Sequence, residues 1–352
     1  MFGIFKRFSQ DVAIDLGTAN TLIYIKGRGV VLSEPSVVAI NRKTNAIVAV
    51  GTEAERMYGR TPAHIEAVRP LVDGVVSDFE VTEEMLRNFL GRALPQKSLF
   101  SSPRVIVGVP SGITNVQARS VIDAVGHAGA KEVYLIEEPM AAAIGVGLPV
   151  TESVGSMIVD IGGGTTDVAV ISLSGAVVSK SIKVAGDHLN MAIVQYVRDV
   201  YQLAIGEKTA EFAKIQIASA FMDDEDARLA IRGRDLATGL PRELFITRRD
   251  LGTAIDDSLL VIISGIKEVL ELTPPELVSD ILHHGMYIAG GGSMIRNLDV
   301  RIARETGMKV NIATDPLTAV VQGAGLVLED LSKYRSVLLG EELQYGEILV
   351  AE

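Results

Sequence analysis

The sequence predicts an α/β protein made of two duplicated halves, each contributing an acid-led turn to a shared cleft. Three observations carry that reading. DLGTANT at residues 15–21 and DIGGGTT at 160–166 repeat one pattern: Asp, branched apolar residue, Gly, three small residues, Thr. Each copy is flanked by β-branched, alternating segments that read as paired strands, DVAID and TLIYIKG around the first, GSMIVD and DVAVISLSG around the second. At 352 residues, 48% apolar and 22% charged, the chain can bury a core in each half.

Composition removes several classes of function. A net charge of −11, from 33 basic and 44 acidic side chains, leaves no excess of cations to neutralise a nucleic-acid backbone, so no nucleic-acid partner is expected. No cysteine is present, which excludes disulfides and thiolate metal sites. The longest uncharged apolar run, PMAAAIGVGLPV at 139–150, is far short of the ~20 residues a membrane span needs. The first ten residues lack the apolar core of a secretory signal, so the sequence predicts a cytoplasmic chain.

Along the chain, Met1, Phe2, Ile4, Phe5 and Phe8 fall on one side of a helical wheel, with Gly3, Lys6, Arg7 and Gln10 on the other. This is the pattern of a short interfacial helix, and a frayed tail or one packed on the protein stays open. In the first turn Gly17, Thr18, Ala19 and Asn20 offer backbone and side-chain donors to an anion, as Gly162, Gly163, Gly164 and Thr165 do in the second. Two such turns facing each other suit the two ends of a polyphosphate. Asp15 and Asp160 would then meet its magnesium through water.

LPQKSLFSSPRV sets Leu99 and Phe100 in turn-rich surroundings, either exposed for burial in a partner phase or folded back on the core. In GITNVQARSVIDAVGHAGA the residues Val116, Val121, Ile122 and Val125 exceed what one core-facing helical stripe requires, so Val116 is either a surface contact or a buried residue. LIEEPMAAA offers two carboxylates. Pro139 disfavours helical geometry at Glu138, so a strand should end there with the side chain in the cleft, while Glu137 reads as a surface or ion-paired acid. Residues 197–221 alternate helical stretches with a short break. MYIAGGGSMIRNLDVRI reads as a strand, a Gly290-Gly291-Gly292 turn, then an amphipathic helix whose N-terminus suits a nucleotide. Neither a P-loop nor a G-x-G-x-x-G fingerprint is present.

DLGTANT, DIGGGTTD, EEPMAAAIG and AGGGSMI together resemble the phosphate, connecting and adenosine motifs of the actin, sugar-kinase and heat-shock-chaperone ATPase superfamily. Within it, AIDLGTANTLIY, LSEPSVVAI, VPSGITNVQARS, IEEPMAAAIGVGLPV and GEKTAEFAK resemble the MreB family of bacterial actins, from about residue 10 to residue 330.

The resemblance implies an actin-like ATPase fold of four subdomains with ATP and Mg2+ in the central cleft. Subdomain IA would span 1–33, 70–146 and 316–352, IB 34–69, IIA 147–184 and 250–315, and IIB 185–249. It implies that Glu138 orients the attacking water, that Asn20 and Thr165 donate to phosphate oxygens, that Gly290, Gly291, Gly292 and Ser293 pass the adenosine, and that Glu211 and Lys214 face the base and ribose. On spacing alone Glu211 and Lys214 read as a solvated i, i+3 pair, and only the resemblance turns them toward a nucleotide. Gln216 and Ala218 stand where an acid and a glycine are usual in that family.

It further implies a homopolymer of paired protofilaments with Val116 at the contact, and attachment to the inner face of the cytoplasmic membrane through Phe2, Phe5, Phe8, Leu99 and Phe100. Partners would include the cell-wall elongation machinery, such as RodZ. A sugar-kinase reading would need an Asp base beside a sugar pocket and inserted substrate loops, and the sequence offers neither. A chaperone reading would need a peptide-binding domain after the ATPase, where only about 20 residues follow the last motif. A plasmid-segregating actin would need neither the amphipathic N-terminus nor the Leu99-Phe100 loop.

Overall fold

Two sheets that share a five-strand topology, the first extended by one antiparallel edge strand, organise the chain in a computed structural model that describes residues 11–94, 103–221 and 227–339. The first runs in the order Leu338–Leu339, Glu132–Glu137, Arg104–Val109, Val12–Leu16, Asn20–Ile25, Gly29–Pro35. The second runs Gly175–Ile182, Thr166–Ser172, Ser156–Ile161, Met286–Ala289, Val310–Ile312. In each, an antiparallel meander of three consecutive strands continues through its first strand into two parallel strands. That equivalence is the duplication the repeated turns predict.

The strands at the centre are buried on both faces, which is why Ser156–Ile161 and Thr166–Ser172 read as nearly unbroken apolar runs. Helices Phe79–Ala93 and Asn115–His127 cover the outer face of the first sheet with Met85, Leu86, Phe89, Val121, Ile122 and Val125. Helix Arg248–Leu272 covers the second sheet with Leu259, Ile262, Ile263 and Ile266. Between the sheets lie helices Glu138–Gly145 and Ala319–Glu329, whose small residues Ala141, Ala142, Ala143 and Ala324 pack with Ile106, Ile136, Ile158 and Ala289. Small side chains there let both sheets approach a common seam, and the acid-led turns emerge at its edge.

Two smaller three-stranded sheets are added, Ala46–Val50 with Val38–Asn41 and Ile65–Val68, and Leu203–Ala204 with Arg228–Asp235 and Pro241–Thr247, besides the two-stranded hairpin of Leu71–Val72 with Val75–Val76. The two three-stranded sheets fall within residues 34–69 and 185–249 respectively. Among the described residues no helix is long and apolar enough to cross a membrane.

Candidate functional site: two facing turns over four clustered acids

Both predicted hairpins form. Asp15 sits one residue before the end of Val12–Leu16, and Asp160 one residue before the end of Ser156–Ile161, so the duplicated acids occupy equivalent places on equivalent strands. The first turn is braced from outside: the Ser36 hydroxyl donates to the Gly17 carbonyl (2.7 Å) and the Ser36 amide to the Ala19 carbonyl (2.9 Å). The second is closed by the Gly162 amide donating to the Thr165 carbonyl (2.9 Å).

The turns touch. A Cβ placed on Gly163 would lie 2.7 Å from the Ala19 Cβ, and one on Gly164 would lie 2.6 Å from the Thr18 Oγ1 and 3.1 Å from the Asp73 Cα. Only glycine permits this approach. The Thr18 hydroxyl also accepts from the Gly74 amide (2.8 Å), so the tight turn at Asp73-Gly74 completes the junction.

Beneath the turns four carboxyl groups converge. Burial pushes Asp15 up to about 7 although part of its surface stays open to the cleft. Glu138 and Asp160 are buried and held well above the carboxylate range, first by desolvation and then by the charges of neighbouring acids: Asp167, Asp15 and Asp160 for Glu138, and Asp15 and Asp167 for Asp160. Asp167 is also raised by burial, against hydrogen bonds from the Ser111 amide and the Ser181 and Thr165 side chains. The Ser111 amide lies 3.0 Å from Asp167 Oδ1.

Oδ1 of Asp160 is buried without a hydrogen-bond partner. Among the described residues no cation compensates these four clustered acids, one of which carries an orphaned oxygen, and they fit the surroundings of a bound cation. Among the described residues no group of three or more His, Cys, Asp or Glu is arranged to hold a metal ion by itself. Asp15 and Asp160 are the residues that would hold such an ion, as expected from the sequence through water.

Glu138 arrives in the cleft by a route that differs from the expected one. The strand Glu132–Glu137 ends one residue earlier, and Glu138 opens the helix Glu138–Gly145. Pro139 is accommodated because first-turn amides have no intrahelical acceptor to lose. Glu137 is half-buried as the N-cap residue, without a side-chain capping bond.

The third glycine cluster also departs from expectation. Gly291–Met294 form one 3-10 turn, and the helix starts only at Leu298, after Asn297 in the left-handed region. A nucleotide passing Gly290, Gly291, Gly292 and Ser293 would meet that tight turn and not a helix N-terminus. Bonds from the Ser293 amide to the Gly290 carbonyl and from the Ile295 amide to the Gly292 carbonyl, both 3.2 Å, set the tighter pitch. Gly290 takes φ +78°, and its α-carbon sits so close to the Ile161 carbonyl that a Cβ would overlap it.

Glu211 and Lys214 lie half-buried on helix Glu207–Ile217, and the Lys214 ammonium donates to the Gly186 carbonyl (2.8 Å). Burial lowers the Lys214 pKa. Gly186 opens helix Gly186–Tyr201, whose amides at Gly186 and Asp187 donate to the Gly162 (3.1 Å) and Gly163 (2.8 Å) carbonyls. Helix Glu207–Ile217 is thereby tied through Lys214 and Gly186 to the second turn. Asn20 is exposed at the mouth of the first turn and Thr165 is buried in the second.

Asp167, Gly186 and the Asp73-Gly74 turn are contributors that the motif reading did not single out. Only Asp167 had a signal, an acid inside a buried apolar run, where it pairs directly across the hairpin with Asp160. Val116 stands 77% exposed in the first turn of helix Asn115–His127 while Val121, Ile122 and Val125 are buried, which resolves the two readings of that position in favour of the surface. Phe2, Phe5, Phe8, Leu99 and Phe100 lie outside the described residues.

Duplicated sheets whose equivalent hairpins meet over an acidic cleft define the actin-like fold. A family model described as MreB/Mbl protein matches residues 9–336, and the chain belongs to that family. It is 50% identical over 339 residues to the cell shape-determining protein MreB of Escherichia coli strain K12, covering 95% of this chain and 98% of that protein. Crystal structures of MreB5 of Spiroplasma citri bound to ADP and to AMPPNP superpose with a TM-score of 0.88 at 38% identity, covering 93% of this chain and 98% of theirs. The MamK double helical filament superposes at 0.78 with 22% identity, covering 92% of this chain and 99% of that one, a likeness of fold alone.

Proposed function

We propose that this protein is a filament-forming ATPase that binds and hydrolyses ATP with Mg2+ at the facing turns and organises cell-wall synthesis and cell shape from the inner face of the cytoplasmic membrane. The observation that carries the reading is the close approach of Gly163 to Ala19 and Gly164 to Thr18 beside the cluster of half-buried Asp15 and buried Glu138, Asp160 and Asp167. Family membership, the ADP and AMPPNP complexes of MreB5 and the cell-shape designation of the Escherichia coli relative support it. The four-subdomain division, with IA at 1–33, 70–146 and 316–352, IB at 34–69, IIA at 147–184 and 250–315, and IIB at 185–249, is part of the same proposal.

In this reading the backbone amides of Gly17–Ala19 and of Gly163 and Gly164 bind the phosphates, and Asn20 and Thr165 add side-chain donors. Bound magnesium supplies charge neutralisation to the phosphates and acids. Glu138 holds the attacking water and takes its proton, and its burial favours that role because a desolvated carboxylate is a stronger base than a solvated one. Asp167 holds the Thr165 side chain from behind. Glu211, Lys214 and Gly290–Ser293 bound the nucleoside end. Val116 pairs protofilaments, and the aromatic N-terminus with Leu99 and Phe100 meets lipid.

The proposal is tested by electron microscopy of the purified protein with ATP and magnesium on anionic lipid. Filaments lying flat on the bilayer are expected. Dispersed monomers under those conditions, together with no phosphate release in solution, would overturn it.

A further inference from the structure

We infer that Arg69 forms a latch across the cleft whose opening sets how fast nucleotide leaves; the inference rests on the nucleotide reading above. Arg69 lies at the end of the segment carrying the Ile65–Val68 strand, on the first-sheet side. Its Nη1 reaches across to Asp187 Oδ2 (3.0 Å) and Glu207 Oε1 (3.4 Å) on the second-sheet side, and its guanidinium lies over the Tyr58 ring. Each of the three charged side chains is only about a quarter exposed, so solvent screens the pair less than an ordinary surface bridge.

Position gives the contact its consequence. Asp187 and Glu207 stand in the first turns of helices Gly186–Tyr201 and Glu207–Ile217, where the helix dipoles also favour their negative charge. The first of these helices grips the second phosphate turn through the Gly162 and Gly163 carbonyls, and the second reaches it through Lys214 and the Gly186 carbonyl. One guanidinium therefore ties the 34–69 segment to both helices that hold the second turn. The flanking ties are weaker: Lys208 donates to the Glu55 carbonyl from a side chain 40% exposed, and Lys183 lies 3.6 Å from Asp73 with its own side chain 77% exposed. Separating the two sides to release a polyphosphate from between the turns requires the Arg69 pair to break.

The test is nucleotide release followed by stopped-flow fluorescence. The protein is loaded with N-methylanthraniloyl-ADP and magnesium below its assembly concentration and chased with excess unlabelled ATP. Arg69→Gln and Asp187→Asn should each speed release by about tenfold, the double variant should be no faster than either, and Arg69→Lys should stay near the parent. Thermal melts establish that each variant is folded.

Release unchanged in both single variants would overturn the latch alone. Acceleration by Arg69→Gln but not by Asp187→Asn combined with Glu207→Gln would also overturn it, because Arg69 would then act without either of its cross-cleft partners. Failure of the parent to load any labelled nucleotide would overturn the nucleotide reading and the latch together.

Discussion

A single methyl group at Gly163 should separate the two turns and cost most of the activity while leaving the fold intact. An alanine Cβ there would lie 2.7 Å from the Ala19 Cβ. Carbon atoms rest at about 3.5–4.0 Å, so the hairpins must part by roughly 1 Å. Gly163 does not occupy the left-handed region, so the substitution carries no backbone penalty and its effect isolates the contact. Overpacking of this kind costs about 1–3 kcal/mol of stability. Displacement by ~1 Å of groups that align a reaction costs on the order of 10²-fold in rate.

Gly162→Ala is the matched control, since its Cβ would meet only the Thr165 carbonyl of its own turn at 3.3 Å. Phosphate-release assays and thermal melts on both variants should show a much larger loss of turnover for Gly163→Ala than for Gly162→Ala, with both still folded. Equal turnover in the two would refute the argument that the facing turns form one site.

Val116→Glu should leave a folded, ATP-competent monomer, because the side chain is already in solvent, and should abolish paired filaments; paired filaments of that variant by microscopy would remove Val116 from the contact. Burial raises Asp15 above its unfolded value, so its contribution to stability is complete below about pH 4 and is lost as pH rises through about 7. The thermal midpoint of nucleotide-free protein should therefore fall from about pH 5 to about pH 8, less steeply in Asp15→Asn, and an identical slope in that variant would refute the assignment. Leu99→Ser with Phe100→Ser and removal of residues 1–9 should abolish liposome pelleting of polymerised protein. Each apolar side chain contributes only about 1.5–3 kcal/mol, and a filament multiplies weak anchors. Pelleting equal to the parent would assign those aromatics elsewhere.

The elements legible in the sequence were those whose chemistry is local. Acid-led, glycine-rich turns between alternating strands announce hairpins, and Pro139 marks the strand end near Glu138 even though the helix begins one residue sooner. Thr114 and Gln117 form a capping box that starts helix Asn115–His127, and periodicity then counts its apolar residues but cannot say which face Val116 takes, because that depends on what packs against the helix. Arg69 beside Asp187, Asp73 beside Gly164 and Ser111 beside Asp167 join segments more than fifty residues apart. No turn chemistry or periodicity encodes such pairs; they follow only once the two sheets close on their shared seam.

The central claim is that Glu138 orients the water that attacks ATP between the facing turns. Single-turnover phosphate release by Glu138→Gln, loaded with ATP and magnesium, tests it most directly. Binding should stay within a few-fold of the parent while hydrolysis slows by about 10²-fold or more. Hydrolysis at the parental rate with ATP bound would contradict the account.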